Sequence, residues 1–232
     1  MSKNTGYDNK GQYNGYVRNN DERAEFDFYA TPPEEVKNIL RYEPLVEGNI
    51  VLEPCCGLGH MIQGIDSYLI DNNLETKVKV FGTDLVDRGL QDGRTVFGLD
   101  FLSDDYPFAK KADIIIMNPP YDKIEEFTLK AFKRANKIIM LARTQFAESQ
   151  SRYENIFKEN PPSRIYQYVD RIACYKNGDF SKKQSSAQSY SWFVFEPNRR
   201  EKTTEFFWIR RADKLPPPPP PPPPLIKKYD II

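Results

Sequence analysis

The segment that most constrains the fold is a short, isoleucine-rich run that ends in two prolines. Residues 112–117 read Ala-Asp-Ile-Ile-Ile-Met and lead directly into Asn118-Pro119-Pro120-Tyr121. A short apolar run bounded by prolines is typical of an interior parallel strand rather than of a helix. In an open α/β sheet, ligands bind where such strands end. The four residues after this strand are therefore expected at the mouth of a ligand site.

Other segments alternate between strand and helix patterns. Further strands are predicted at residues 49–53, 77–83, 95–97 and 137–142. Helices are predicted at residues 60–69 and at the segment in which Ile124, Phe127, Ala131, Phe132 and Ala135 recur at helical spacing. Strands that alternate with helices imply right-handed crossovers. The pattern thus predicts an α/β fold with a doubly wound, mostly parallel sheet.

The two ends of this α/β region carry different patterns. Thr31-Pro32-Pro33-Glu34-Glu35 predicts a helix start, with Thr31 as its cap and proline in the first turn. Beyond residue 162, strands are predicted at residues 165–169, 190–195 and 204–209. A polar turn joins the last two, so we expect a C-terminal antiparallel hairpin. Trp192 and Trp208 are expected to pack in the core or within this hairpin.

The chain length of 232 residues suits one α/β domain with tails. Residues 1–24 carry almost no aliphatic side chains and are predicted to be a disordered tail. The domain is expected at residues 25–214. Residues 216–224 are consecutive prolines, so residues 215–224 are interpreted as a polyproline linker, either a spacer or a ligand for a proline-reading protein. A short C-terminal tail follows at residues 225–232.

Composition narrows the partners and the compartment. Basic and acidic residues balance at 33 each, so any affinity for nucleic acid must be local; residues 176–214 hold the basic excess. No apolar run is long enough to span a bilayer, and the three cysteines lack disulfide or metal spacing. We therefore expect a cytoplasmic protein, with no membrane partner and no metal. The sequence does not predict the oligomeric state.

A glycine loop follows the strand predicted at residues 49–53. It reads Glu53-Pro54-Cys55-Cys56-Gly57-Leu58-Gly59, with two glycines where the chain turns and a ligand can approach the backbone. The loop lacks the third glycine of a dinucleotide site and the lysine of a P-loop, so a dinucleotide or a nucleoside triphosphate is disfavoured as its ligand. An acid before the glycines suits a ligand that bears an ammonium and a sulfonium group. S-adenosylmethionine is the predicted cofactor.

Two further acids follow the next strands. Asp84 ends the strand at residues 77–83 and is expected to accept hydrogen bonds from ribose hydroxyls, with Leu85 covering the adenine. Asp100 follows the strand at residues 95–97 and is a candidate acceptor for the adenine amino group, with Phe101 beside it. Each acid alone could be a solvated loop residue. Their repeated placement at strand ends favours a shared site.

With these motifs in order, residues 25–210 resemble the adenine-N6 DNA methyltransferases of the gamma arrangement, and are similar to the small forms that phages carry. The resemblance implies a class I S-adenosylmethionine-dependent methyltransferase (Rossmann-like) fold with a seven-stranded sheet, and a link to restriction-modification. It also implies cofactor contacts from Tyr29, Thr31, Pro32, Glu53, Pro54, Cys55, Gly57, Gly59, Asp84, Leu85, Asp100, Phe101 and Asn118. The catalytic motif would be Asn118, Pro119, Pro120 and Tyr121.

The chemistry follows from the weak nucleophilicity of an aromatic amino group. The Asn118 side-chain oxygen and the Pro119 carbonyl can together accept both amino hydrogens, so no strong general base is required. In duplex DNA the base must first be rotated out of the helix. Tyr121 is then expected to stack on one face of the base and Phe180 on the other. Phe180 could instead simply fill the edge of the core.

Three alternatives remain at this stage. The amino group could belong to adenine in RNA, or to a protein glutamine, whose amide nitrogen poses the same chemical problem. The early Thr31-Pro32-Pro33 element argues against the glutamine enzymes. The third alternative is a non-catalytic, cofactor-binding subunit that recruits partners through its proline run.

Overall fold

The computed structural model describes residues 28–108, 112–181 and 188–214. The strands are β1 (Tyr29–Ala30), β2 (Ile50–Glu53), β3 (Lys79–Asp84), β4 (Thr95–Phe97), β5 (Ala112–Met117), β6 (Ala135–Arg143), β7 (Arg164–Tyr168), β8 (Tyr175–Lys176), β9 (Tyr190–Phe195) and β10 (Glu205–Ile209). The α-helices are α1 (Pro33–Ile39), α2 (His60–Asp71), α3 (Ile124–Arg134) and α4 (Gln150–Arg152). A π-helical turn (Tyr153–Phe157) and 3-10 turns at Thr144–Ala147 and Ala212–Lys214 complete these elements. The predicted tails and proline run lie outside the described residues.

Eight strands form one sheet in the order β10-β7-β9-β6-β5-β2-β3-β4. All neighbouring pairs are parallel except those of β9, which runs antiparallel to both β6 and β7. The strand order reverses at β2 and β5, which lie side by side in the middle of the sheet. This is the doubly wound, mostly parallel sheet that the sequence predicts.

Alternate residues of the central strands pack into two separate cores. Ile114 and Ile116 of β5 join the core that contains α1 and α2, whereas Ile115 and Met117 join the core that contains α3. Because side chains alternate across a strand, the two cores lie on opposite faces of the sheet. Burial on both faces explains why β5 is apolar along nearly its whole length.

The prediction of a C-terminal hairpin is wrong, because the two strands expected to form it do not pair with each other. Strands β9 and β10 are not neighbours, because β7 lies between them. The antiparallel pair is formed by β7 and β9, and β10 runs parallel to β7 at the edge of the sheet. Within the described residues, the large sheet has eight strands rather than the predicted seven. The polar turn at residues 197–202 is a longer connection across β7 and not a hairpin turn.

Three local predictions also need correction. Ala135 is the first residue of β6 and pairs with Ala112, so α3 passes into β6 without a loop. The cap of α1 is Pro32 rather than Thr31, and no side chain caps this helix. Trp192 is fully buried as expected, but Trp208 is 70% exposed on β10.

A second, two-stranded sheet covers the region before α1. It pairs β1 with β8 in antiparallel fashion, with Tyr29 opposite Lys176 and Ala30 opposite Tyr175. The Asn177 amide also donates to the Phe28 carbonyl (3.0 Å). These contacts hold the N-terminal element against the rest of the domain.

Within the described residues, no helix is long and apolar enough to cross a membrane.

Candidate active site

The side chains singled out from the sequence meet at one edge of the sheet. Glu53 ends β2, Asp84 ends β3, and Asn118 directly follows β5. These three strands run parallel and are neighbours, so their carboxyl ends share one edge. The strand order reverses at this point, which is where α/β folds of this kind form a crevice.

Asn118 is held in one orientation by the N-terminal element. Its side-chain nitrogen donates to the Tyr29 carbonyl (2.8 Å) and to the Thr31 hydroxyl (3.1 Å). Its side-chain oxygen is buried and has no hydrogen-bond partner among the described residues. A buried polar atom without a partner is costly to the fold and points to a ligand. The arrangement leaves an acceptor ready for an N–H group.

A cavity of about 510 Å³ borders Asn118. This volume lies within the usual range for small-molecule sites. Its lining combines apolar and acidic side chains from the ends of several strands. From the predicted set it includes Tyr29, Pro54, Cys55, Asp84, Leu85, Asp100, Phe101, Asn118 and Pro120. Nine residues predicted from the sequence therefore share one cavity.

Asp84 organises the glycine loop as well as facing the cavity. Its two carboxylate oxygens accept from the amides of Gly57 (2.7 Å) and Val86 (2.8 Å). Gly57 has φ +56, and a Cβ at this residue would lie 2.2 Å from Cε2 of Phe28. The Phe28 ring therefore packs directly against the loop backbone, where only glycine leaves room. Leu85 is 56% exposed at the cavity wall.

A smaller chamber of about 20 Å³ lies beside the main cavity. Three buried polar atoms from its lining residues lack partners among the described residues, and they belong to Glu53 (Oε2), His60 (Nδ1) and Asn118 (Oδ1). The lining also contains Thr31 and Phe28, and Phe28 borders both spaces. Three unpaired polar groups around one small chamber indicate a site for a charged or strongly polar ligand group.

Burial, reinforced by the nearby Asp84 carboxylate, raises the pKa of Glu53 well above its ordinary value. Burial also lowers the pKa of His60. Both shifts favour the neutral form, because a low-dielectric environment penalises charge. A cationic group that entered the chamber would reverse this preference at Glu53, because it would stabilise the carboxylate.

Tyr121 is the last residue of the Asn-Pro-Pro-Tyr motif, and its side chain packs among two tyrosines and an arginine from other segments. Its ring stacks on Tyr29 at 5.6 Å, and the Arg143 guanidinium lies 4.4 Å from the ring centroid. Its hydroxyl donates to Tyr190 (3.2 Å). A depression of about 230 Å³ adjoins it, lined by Tyr121, Asp122, Ile124, Arg143, Gln145, Phe146 and Arg152. The motif thus borders two spaces, and Asp122 lines both of them.

The remaining predicted residues lie at several places around the site. Pro32 precedes α1, Pro119 is buried after Asn118, and Gly59 has φ +77 at the start of α2. Phe180 stacks on Tyr175 at 4.3 Å and contacts His60 at 4.8 Å. It lines a third depression, beside α1, rather than the one that adjoins Tyr121. The structure does not bring Phe180 into the depression beside Tyr121.

The sequence did not single out Arg143, Tyr190 or Arg88 as site residues. Arg143 ends β6, so its position at the end of a parallel strand was an available signal. Tyr190 begins the antiparallel strand β9, and only the pairing of β9 with β6 brings it there. Arg88 lies over the Phe28 ring at 4.5 Å and lines the main cavity, a contact that no local pattern indicates.

No protein-family model and no curated protein sequence matches the chain. Among solved structures, it is similar to the type I restriction-modification methyltransferase subunit from Streptococcus thermophilus (TM-score 0.58, 12% identity, 81% of this chain and 48% of that one). It is also similar to the type I restriction enzyme EcoKI M protein (TM-score 0.56, 15% identity, 80% and 49%). A third is a Listeria monocytogenes protein described as a class I S-adenosylmethionine-dependent methyltransferase (TM-score 0.52, 13% identity, 88% and 69%).

The chain spans about half the length of the two type I subunits it matches. At these identities the similarity establishes architecture. Together with the strand order, which reverses at β2 and β5 and places antiparallel β9 among parallel strands, it identifies the fold. The chain has the class I S-adenosylmethionine-dependent methyltransferase fold.

Proposed function

We propose that the protein is an S-adenosylmethionine-dependent methyltransferase that methylates the N6 amino group of adenine in DNA. The observation that carries this proposal is the state of Asn118. Its side-chain nitrogen is fixed by Tyr29 and Thr31, while its buried side-chain oxygen is left without a partner among the described residues. An oriented acceptor of this kind matches an N–H group that must be gripped during reaction.

The residues around the crevice fit the cofactor. Leu85 and Phe101 offer apolar surface in the main cavity, and Asp84 and Asp100 offer acceptors for hydroxyl and amino groups. Glu53 in the adjoining chamber suits an ammonium group. S-adenosylmethionine, when bound, supplies an activated methyl group on a sulfonium. Because the chamber holds only about 20 Å³, binding of the amino-acid end requires Phe28 or its neighbours to move.

The chain's own residues act on the target amino group by positioning. The Asn118 side-chain oxygen accepts one amino hydrogen, and the main-chain carbonyl of Pro119 accepts the other. The nitrogen lone pair is then less delocalised into the ring and can be aligned for attack. Proline fixes the backbone direction at this point. The methylated nitrogen would then release one proton to water, so this scheme needs no residue with a pKa near neutrality.

The depression beside Tyr121 is the proposed place of the target base. It adjoins Tyr121, shares Asp122 with the lining of the main cavity, and is also lined by two arginines, Arg143 and Arg152. A base that stacks on Tyr121 would replace the contact with Tyr29 or with Arg143. If the base displaced Arg143 from the ring, that guanidinium would be available to contact a phosphate group, whereas Arg152 would stay paired with Glu125.

DNA is favoured over the alternative targets for two reasons. The Thr31-Pro32-Pro33 element, which argues against the glutamine enzymes, belongs to the site, because the Thr31 hydroxyl accepts from Asn118. Two of the similar structures are named as subunits of type I restriction systems. Adenine in RNA and protein glutamine remain the alternatives that an experiment must separate.

The test is to incubate the protein with radiolabelled methyl donor and, in separate reactions, duplex DNA, single-stranded DNA, RNA or a cell protein extract. We expect label in DNA and its release as N6-methyladenine. The Asn118→Ala variant should lose the activity, whereas Asn155→Ala, which changes an exposed asparagine, should retain it. Label in protein alone, or full activity of Asn118→Ala, would contradict the proposal.

A further inference from the structure

Strand β10 forms one edge of the large sheet. It pairs with β7 alone among the strands of the described residues. The Glu205 amide donates to the Ser163 carbonyl (3.0 Å), and the Ile209 carbonyl accepts from the Val169 amide (3.0 Å), so both face the β7 side. Main-chain groups alternate along a strand. Those of Phe206 and Trp208 therefore point toward the open edge.

The same strand exposes large aromatic side chains on both of its faces. Phe206 is 47% exposed, Phe207 is 40% exposed and Trp208 is 70% exposed. Phe206 and Trp208 contact each other on one face, with ring centroids 5.0 Å apart. On the opposite face, Phe207 stacks on Tyr166 at 5.3 Å. Burial of these rings would release a large apolar area from water.

Natural proteins usually protect an edge strand with lysine, proline or a bulge. Strand β10 has none of these: it reads Glu-Phe-Phe-Trp-Ile and pairs with β7 without interruption. The other edge strand, β4, has only three residues. An aromatic, unprotected edge of five residues is therefore more consistent with an interface than with a surface that remains in solvent.

We propose that β10 is the interface of a homodimer in which the β10 strands of two copies pair antiparallel. The sheet would then continue across both molecules. A second copy can supply hydrogen-bond partners for the open edge. In this pairing Phe206 of each copy lies opposite Trp208 of the other, and their outward main-chain groups bond to each other. This register uses the outward groups of both residues from each chain.

The same register brings the exposed rings together. Phe206 and Trp208 of both copies lie on one face of the joined sheet, and the two Phe207 residues meet on the other face. Aromatic pairs across strands stabilise antiparallel sheets. The two-fold axis passes between the Phe207 residues, so that each stacked pair of Phe207 and Tyr166 approaches its equivalent.

Charge is compatible with self-pairing. The strand begins with an acid, Glu205, and is followed by Arg210 and Arg211. Antiparallel pairing brings the acidic end of each strand toward the basic end of the other. The chain has equal numbers of basic and acidic residues, so two copies do not repel through net charge. The proline run cannot take the place of the second strand, because proline has no amide hydrogen.

The test is light scattering after size-exclusion chromatography of the full chain over the micromolar range. We expect a mass twice the 27.0 kDa of one chain, and a return to 27.0 kDa when Phe206 and Trp208 are both changed to lysine. The matched control is Val96→Lys, an exposed position on the opposite edge strand, which should stay dimeric. A monomeric wild-type protein, or a dimer that survives the double change, would overturn the proposal.

A covalent test does not depend on how well the lysine variant folds. In the proposed register the two Phe207 residues are a non-hydrogen-bonded pair, with Cα atoms about 4.5 Å apart, which a disulfide can bridge. Phe207→Cys should give a disulfide-linked dimer under mild oxidation. Trp208→Cys should not, because its equivalents lie two residues out of register. If Trp208→Cys links and Phe207→Cys does not, the proposed pairing is wrong.

Discussion

At the scale of single residues, the position of Asn118 depends on Thr31. The Thr31 hydroxyl accepts from the Asn118 side-chain nitrogen at 3.1 Å, and Thr31 is 3% exposed. The sequence suggested a helix cap for this threonine, because a hydroxyl before Pro-Pro-Glu-Glu fits that role. The cap assignment failed because the cap of α1 is Pro32 and the hydroxyl instead bonds to a residue far along the chain. Only the folded structure shows such a contact.

The Thr31→Val variant removes the hydroxyl and keeps the side-chain shape. We expect kcat to fall about fivefold, which corresponds to the loss of a hydrogen bond of roughly 1 kcal/mol. Thr31→Ser should restore most of the rate. Steady-state methylation assays measure the effect, and thermal unfolding provides the control. If Thr31→Ser is as slow as Thr31→Val, the hydroxyl does not position Asn118.

Glu53 is expected to lower the stability of the folded protein at neutral pH and to strengthen ligand binding. Its pKa is raised in the folded state by burial and then by Asp84. The folded state therefore loses stability relative to the unfolded state as pH rises above the unfolded-state pKa of this carboxyl. Glu53→Gln removes this titration. We expect its midpoint of thermal unfolding to exceed that of the wild type at pH 7, by a margin that shrinks toward pH 4.

The same substitution should weaken ligand binding. An uncharged amide replaces the carboxylate that would pair with the ligand's ammonium group, a loss of roughly ten- to a hundredfold in affinity. Calorimetric titration with S-adenosylhomocysteine measures it. 5′-Methylthioadenosine, which lacks the amino-acid end, is the matched ligand and should bind both proteins equally. Equal weakening for both ligands would contradict an ammonium site at Glu53.

At the scale of elements, one buried carboxylate ties two strands to the segment after α1. Glu43 is 2% exposed and accepts from Arg164, from Lys137 (2.8 Å) and from the Tyr166 hydroxyl (2.8 Å). Burial tends to raise its pKa, but the bonds from Arg164 and Lys137 outweigh burial and lower it. Its contribution to stability is therefore present above pH 5 and is lost as pH falls below the unfolded-state pKa.

Glu43→Gln leaves two cations without their shared carboxylate. We expect a loss of about 3 kcal/mol in the free energy of unfolding at pH 7, as measured by urea denaturation. Glu47→Gln is the matched control, because Glu47 pairs with Lys77 at 3.5 Å on the exposed surface. It should change stability by less than about 1 kcal/mol. Similar losses for both variants would show that the buried Glu43 contributes no more to the free energy of unfolding than the exposed Glu47.

Element type was predictable where periodicity was strong. Strand β5 was predicted to the residue, and β2, β3 and β6 within two residues. Strands β1 and β8 were not predicted, because two residues carry no periodic signal. The prediction that β10 pairs with β9 was also wrong. Short-range patterns favour a hairpin between consecutive strands, whereas the parallel pairing of β10 with β7 depends on contacts between distant segments.

At the scale of the whole molecule, the main cavity joins parts of the chain that are far apart in sequence. Its lining runs from Phe28 to Phe127 and includes residues that follow β2, β3, β4 and β5. The sequence predicted this convergence because parallel strands place their carboxyl ends on one edge. It could not predict the contact of Tyr190 with Tyr121, because only the antiparallel pairing of β9 with β6 brings Tyr190 there.

A ligand that contacts all these segments should stabilise the entire fold. S-adenosylhomocysteine at a hundred times its dissociation constant should add about 2.7 kcal/mol to the free energy of unfolding. At the same ligand concentration, Leu85→Ser should reduce this gain by about 1.4 kcal/mol through a roughly tenfold loss of affinity. Its stability without ligand should hardly change, because Leu85 is 56% exposed. Phe180→Ala should keep the full gain, because Phe180 lines a different depression. A wild-type protein whose unfolding midpoint ignores the ligand would contradict the assignment of this cavity to the cofactor.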